Sequence, residues 1–244
     1  MMLFRRARLP ADQQLSFEAG GRSRPLIVRR MTQARQMRLS VDPRDGGIRL
    51  VLPHRTALGP ALKWVESKRG WIEATLEALP TARPIRAGMT IMVGGRSIRI
   101  GQGSGGRLAR LDGDILVVPP PDALLPGRVI RWLRKTALAR LEEESRRFAM
   151  QAGVSIGRVS VGDPRARWGS CSADGHIRYS WRLILAPPDV LEATVAHEVA
   201  HRLHMDHSRD FHAAVERLLG RNPRPERTWL RTQGQELYWF GREN

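Results

Sequence analysis

The chain has 244 residues, of which 41% are hydrophobic and 27% charged, and carries a formal net charge of +17. Its length suits one large domain or two small ones, its composition is that of an ordinary globular protein, and no apolar run reaches the roughly 20 residues a membrane-spanning helix needs. The only cysteine, Cys171, excludes an intrachain disulfide and a cysteine-built zinc site, so a metal centre here must use His, Asp or Glu.

In chain order, residues 1–20 show little periodicity and are expected to form a flexible tail. The start is basic (Arg5, Arg6, Arg8) without the apolar stretch of a secretory signal, so a cytoplasmic protein is expected. Strand-like stretches follow at residues 25–30, 36–41 and 48–53, the last two separated by the turn signal Asp45-Gly46-Gly47. Leu62, Val65, Ile72 and Leu76 predict one helix over 58–79, ended by Pro80 and Pro84. Further strands are expected at 90–93, 97–100, 107–111 and 114–118. The glycine-rich run 101–106 lacks the following helix that a phosphate loop demands and reads as a hairpin connection.

Pro119-Pro120-Pro121 is the expected domain boundary, giving a β-rich basic N-terminal lobe over 21–122 and a second domain over 123–244. A helix over 128–152 buries Ile130, Leu133, Ala137, Leu141 and Phe148, and Gly153 suits its C-cap. Glu142-Glu143-Glu144 and Arg146-Arg147 read as solvated ion pairs on that helix. Strands over 155–161 and 176–182 come next, and no internal repeat is visible.

Of the 41 basic residues 38 are Arg, a skew that codon bias explains more simply than phosphate binding. Residues 1–120 nevertheless carry 21 basic against 9 acidic groups, and the rest 20 against 15. A basic N-terminal lobe attracts nucleic acid or acidic proteins, although a merely solvated basic surface is the plainer reading.

The most informative run is His197-Glu198-Val199-Ala200-His201. On a helix, residues i and i+4 share a face, so the two imidazoles can converge on one metal ion while Glu198 stands beside them to take a proton from metal-bound water. The helix is expected to start near Pro187-Pro188-Asp189 and to pack Leu191, Val195, Val199 and Leu203 into the core. A catalytic zinc takes three protein ligands and one water. His204 lies about 10 Å along the axis from His197, which disfavours it as third ligand. Chain that has turned back is better placed, which favours His207, with His212, Asp206 and Glu216 as weaker candidates. The His-x3-His-x5-His spacing equals that of the metzincins, yet His204 replaces their glycine and no methionine follows Met205, so this is not a metzincin. The bland alternative is a chance match in which the histidines merely cap a helix.

Arg167-Trp168-Gly169-Ser170-Cys171-Ser172, then Trp181 through Pro188, then His197 to His201, then His207-Ser208 with Phe211, resembles the YgjP-like metal-dependent hydrolases, relatives of the SprT and WLM peptidase domains. The resemblance spans about residues 22–237. It implies one zinc ion per chain held by His197, His201 and His207, with Glu198 as general base, and the His-Ser-x-x-Phe match selects His207. His204 and His212 are additional residues whose roles it leaves open.

Around this site, the 167–172 run reads either as a tight turn or as a wall of the cleft with Arg167 or Arg165 facing substrate. His176 and Tyr179 are candidate oxyanion donors or packing residues, and His204 a candidate supporting residue. Cys171 reads as a small buried side chain rather than a nucleophile. Trp229, Tyr238, Trp239 and Phe240 look like a flap closing on the core. The expected fold is α+β, a zincin-like core with its active-site helix against a small sheet, beside the β-rich lobe. The expected function is zinc-dependent peptide-bond hydrolysis of a protein or peptide substrate without membrane attachment. The alternatives are an SprT-like protease acting on nucleic-acid-bound protein and a non-peptidase zinc hydrolase or binding module.

Overall fold

The computed structural model describes residues 12–104, 106–164 and 166–243. Among them the chain is α+β, with six α-helices and three small sheets. It divides into two compact units, Met1–Thr81 and Ala82–Asn244. No helix among the described residues is long and apolar enough to cross a membrane.

The first unit is a four-stranded sheet backed by two helices. Strands β1 (Gln13–Ala19) and β2 (Arg22–Met31) form an antiparallel hairpin. Strand β4 (Ile48–Pro53) runs parallel to β2, and β3 (Arg38–Val41) pairs antiparallel with β4, giving the order β1-β2-β4-β3. Period-2 alternation puts Leu26, Val28, Ile48, Leu50 and Leu52 on the buried face. They meet Ala61 and Val65 of α1 (Leu58–Ser67) and Ile72 and Leu76 of α2 (Arg69–Glu77). The single helix expected over 58–79 is broken at Lys68 (φ −99°, ψ 10°). The expected tail is corrected for its second half: Phe17 and Ala19 are buried, so residues 13–19 are held as a strand, while residues 1–11 lie outside the described residues.

The second unit begins with another four-stranded sheet, of β5 (Thr90–Val93), β6 (Arg96–Gln102), β7 (Arg110–Asp112) and β8 (Ile115–Val118) in the order β5-β6-β8-β7. Its wiring repeats that of the first sheet: an antiparallel hairpin, a parallel central pair, and an antiparallel outer strand. Both opening hairpins turn on a Gly-Gly pair at positive φ, Gly20-Gly21 and Gly94-Gly95, a conformation that the lack of a Cβ permits. The topology therefore repeats where the sequence shows no repeat. The 101–106 run is not a hairpin connection, because it leads across to β7 on the far side of β8.

The expected boundary at 122 also moves. Ile91, Ile98, Ile100, Leu116 and Val118 share one core with Val129 and Leu133 of α3 (Leu125–Ala152), so this sheet belongs with the helices that follow it. The proline run is a tight corner rather than a linker, its Pro119 and Pro120 carbonyls accepting from the Arg128 guanidinium. Helix α3 ends at Gly153 (φ 67°). The acidic run on α3 is not wholly solvated: Glu144 is buried and pairs with Arg140 and Arg147, and Arg147 reaches Glu192 on the next helix.

A three-stranded sheet in the order β10-β11-β9 follows, of β9 (Val159–Gly162), β10 (Gly169–Cys171) and β11 (Ile177–Ser180), leaving β10 at an edge. Helix α4 (Pro188–Ala200) packs against α3, β10 and α5 (Arg209–Leu219), and α6 (Arg224–Thr232) closes the group. The tail aromatics pack inward: Tyr238 and Phe240 are buried, and the Arg182 guanidinium bonds the Leu237 and Phe240 carbonyls and Asp163.

Candidate metal centre

Helix α4 opens on Pro188 with Asp189 in its first turn, where a missing N–H costs nothing and an acidic group suits the positive end of the helix. Nearly every residue from Val190 to Ala200 is buried, so the helix is enclosed on most sides, with His197 only partly exposed. It ends at His201, its C-cap, and its last turn tightens as Arg202 and Leu203 N–H bond the Val199 and Ala200 carbonyls, both at 2.9 Å. The chain then reverses. Asp206 accepts the Ser208 N–H at 3.2 Å, and Ser208 Oγ accepts the Phe211 N–H at 3.3 Å, capping α5. His207 sits immediately before that cap, and this places it back over the end of α4.

The result is a nearly equilateral triangle of imidazoles. Ring centroids are 5.1 Å apart for His197 and His201, 5.2 Å for His197 and His207, and 4.9 Å for His201 and His207. One donor nitrogen from each lies within 4.8 Å of the others. Phe211, fully buried, forms the floor, its ring 4.6–4.9 Å from all three histidine rings. His201 Nδ1 lies 3.1 Å from the His204 carbonyl; a carbonyl only accepts, so Nδ1 carries the hydrogen and the Nε2 lone pair is left for a metal.

This donor set fits a zinc ion. Two nitrogens at about 2.0–2.1 Å from a tetrahedral centre stand about 3.3 Å apart, and His197 Nε2 and His207 Nε2 are 3.3 Å apart. Burial, reinforced by the neighbouring His201 and His207, lowers the His197 pKa to about 4, and burial also lowers that of His201. Neutral imidazoles are the form that ligates.

Glu198 is buried beside the triangle, and burial raises its pKa to about 7 against a smaller opposing pull from Arg167. Its carboxylate lies against the backbone of β10. A Cβ built on Gly169 would stand 2.4 Å from Glu198 Oε1 and 2.6 Å from its Cγ, so only glycine fits there without moving the carboxylate. Gly169, Ser170 and Cys171 form one wall of a cleft of about 500 Å³ over the three histidines, with Arg167 at its rim. Within the 167–172 run only Gly169–Cys171 is strand, and Arg167 through Cys171 line the cleft, while Arg165 lies outside the described residues. Burial pushes the Cys171 thiol up, which keeps it protonated at neutral pH. Glu226, Arg227 and Leu230 of α6 also line the cleft. Glu226 is held by the Arg221 guanidinium at 3.0 Å.

Of the other residues singled out in the sequence, Arg167 borders the cleft and His204 contributes its backbone carbonyl. Tyr179 does not reach the cleft: it is fully buried, its hydroxyl 3.0 Å from Ser145 Oγ of α3, and burial raises its pKa. His176 does not reach it either. Its Nδ1 accepts the Arg158 N–H and its Nε2 lies 3.1 Å from Asp174 on the exposed side. Both belong to strand positions or turns whose direction spacing alone does not reveal. The roles of Gly169, Phe211 and the α6 residues were not evident from the sequence.

A protein-family model described as "YgjP-like, metallopeptidase domain" matches residues 35–233. No curated protein and no solved structure matches the chain. Since the matched region covers most of the chain and includes the histidine triangle, Glu198 and Gly169, the chain belongs to the YgjP-like metallopeptidase-domain family.

Proposed function

We propose that the chain is a zinc-dependent metallopeptidase whose zincin-like core binds one zinc ion through His197, His201 and His207 and uses Glu198 as general base. The observation that carries this reading is the convergence of the three imidazoles beside a buried carboxylate in one cleft. A zinc ion held there would supply Lewis acidity, polarising a scissile carbonyl and lowering the pKa of water from near 16 toward about 7. Glu198 takes the proton of the attacking water and passes it to the leaving amine; a base whose pKa lies near 7 suits both transfers. Gly169 lets that carboxylate stand close to the triangle, and Phe211 fixes the plane of each imidazole. Strand β10 has no partner on its outer edge among the described residues, so its backbone is available to pair with an extended substrate. Arg167 stands at the rim to bond a substrate carbonyl or a developing oxyanion.

The test is digestion of an unbiased peptide library by wild type and Glu198→Gln, with zinc measured on both. The variant should keep its zinc and lose cleavage at least a hundredfold; equal cleavage refutes the role of Glu198. The intended substrate is a cytoplasmic protein or peptide. The surplus of basic residues over 1–120 favours a secondary reading in which the substrate is bound to nucleic acid. Titration with single- and double-stranded DNA tests it, because phosphate contacts must weaken steeply with salt.

A further inference from the structure

Helix α6 carries Arg224, Arg227 and Arg231 at spacings of three and four residues, which puts the three guanidinium groups along one face. That face lines a second groove of about 540 Å³, closed on its other side by His212 and Glu216 of α5. The groove is continuous with the metal cleft, for His212, Pro223 and Arg227 line both. All three arginines are exposed, and none has an acidic partner among the described residues. The facing acidic groups are few. Glu216 is bonded by Asn222 Nδ2 at 2.6 Å, and Glu226 on the inner face of α6 is paired with Arg221.

We infer that this arginine-lined groove receives an acidic segment of the substrate, on one side of the bond presented to Glu198; the inference rests on the peptidase reading of the adjoining cleft. Spacing supports it. Neighbours at three and four residues on a helix face stand about 5–6 Å apart, and alternate side chains of an extended peptide recur at about 6.6–6.8 Å, so successive carboxylates can meet successive guanidiniums. Guanidinium groups also bind carboxylates through two parallel N–H bonds. A nucleic-acid strand is the less suitable occupant, because no Phe, Tyr or Trp lines the groove to stack a base.

The test uses binding, so that it does not depend on turnover. Full-length Glu198→Gln protein, which should not cleave its ligand, is titrated with a fluorescent Glu/Asp-rich octapeptide and with its Gln/Asn counterpart. The acidic peptide should bind about tenfold more tightly at low salt, a few exposed charge pairs each contributing a severalfold effect. Arg227→Ala/Arg231→Ala in the same background should abolish that preference. Arg131→Ala/Lys135→Ala on α3 removes the same charge elsewhere and should leave it unchanged. Equal binding of both peptides, loss of the preference in both double variants, or stronger competition by a dT decanucleotide than by the acidic peptide would each overturn the inference. Thermal melts check that the variants fold. If the acidic preference stands while wild type cleaves nothing in the library, the groove is right and the peptidase reading is wrong.

Discussion

Gly169→Ala probes the tightest contact in the site. The added methyl would lie 2.4–2.7 Å from the Oε1, Cγ and Cδ atoms of Glu198, where ordinary contact begins at 3.4 Å. Relief requires about 1 Å of movement, and both partners are buried, Gly169 on a strand paired with Tyr179 and Glu198 on a helix enclosed by α3 and α5. The carboxylate, at the end of its side chain, is the part that yields. Displacing a catalytic group by about 1 Å typically lowers activity about 100-fold, equivalent to roughly 2.7 kcal/mol of transition-state stabilisation. The assay is kcat/KM on a quenched peptide chosen from the library digestion, with zinc content and a thermal melt on the same sample. The expected result is a loss near 100-fold with zinc retained. Activity within threefold of wild type would refute the placement of Glu198 against β10.

Three further outcomes follow from the geometry. Phe211→Ala removes the floor under three imidazoles and should cost about 3–5 kcal/mol of stability in urea unfolding, together with a weakening of zinc affinity; unchanged affinity would show that the floor does not orient the ligands. Ser208→Ala removes the cap of α5 beside His207 and should cost about 1 kcal/mol, with weaker zinc binding as the local readout. The third concerns pH in the metal-free protein, where burial lowers His197 to about 4 and raises Glu198 to about 7. The unfolded chain binds the His197 proton first, so that group's contribution is whole above about pH 6.5 and is lost, by about 3 kcal/mol, as the pH falls toward 4. Glu198 acts oppositely: the folded state is favoured below about pH 4.5 and loses about 3 kcal/mol as the pH rises through 7. The two nearly cancel in wild type. Metal-free Glu198→Gln should therefore lose about 3 kcal/mol more than wild type between pH 7 and pH 4, and matching pH profiles would contradict the burial of Glu198.

The histidine triangle, which we propose as the ligand set, was legible because its chemistry is local. His197 and His201 follow from helix periodicity, and the choice of His207 over His204 follows from the 1.5 Å rise per residue. What surrounds the triangle is set by tertiary contacts that leave no local trace. Gly169 reads equally as a turn residue or as part of a cleft wall until β10 is seen lying on Glu198, and Tyr179 reads as a packing residue or an oxyanion donor until its hydroxyl is found against Ser145. Most strands follow from hydrophobic patterning and turn signals, although β10 does not, and the units divide at Thr81 rather than at the proline run because hydrophobic pattern does not say which helix covers a sheet. Ile100 and Leu116 meet Val129 and Leu133 across that run. The first strand was missed since only Phe17 and Ala19 of its seven residues are buried.

The central claim is that three particular histidines hold one metal ion beside Glu198. Zinc stoichiometry by elemental analysis after dialysis tests it most directly, on wild type, His207→Ala, His204→Ala and His212→Ala. The account predicts one zinc per chain in wild type, His204→Ala and His212→Ala, and a large loss in His207→Ala. His204 offers the site only its carbonyl, and the His212 ring lies 6.4 Å from that of His207. Full retention in His207→Ala, or loss in either of the other two variants, would contradict it.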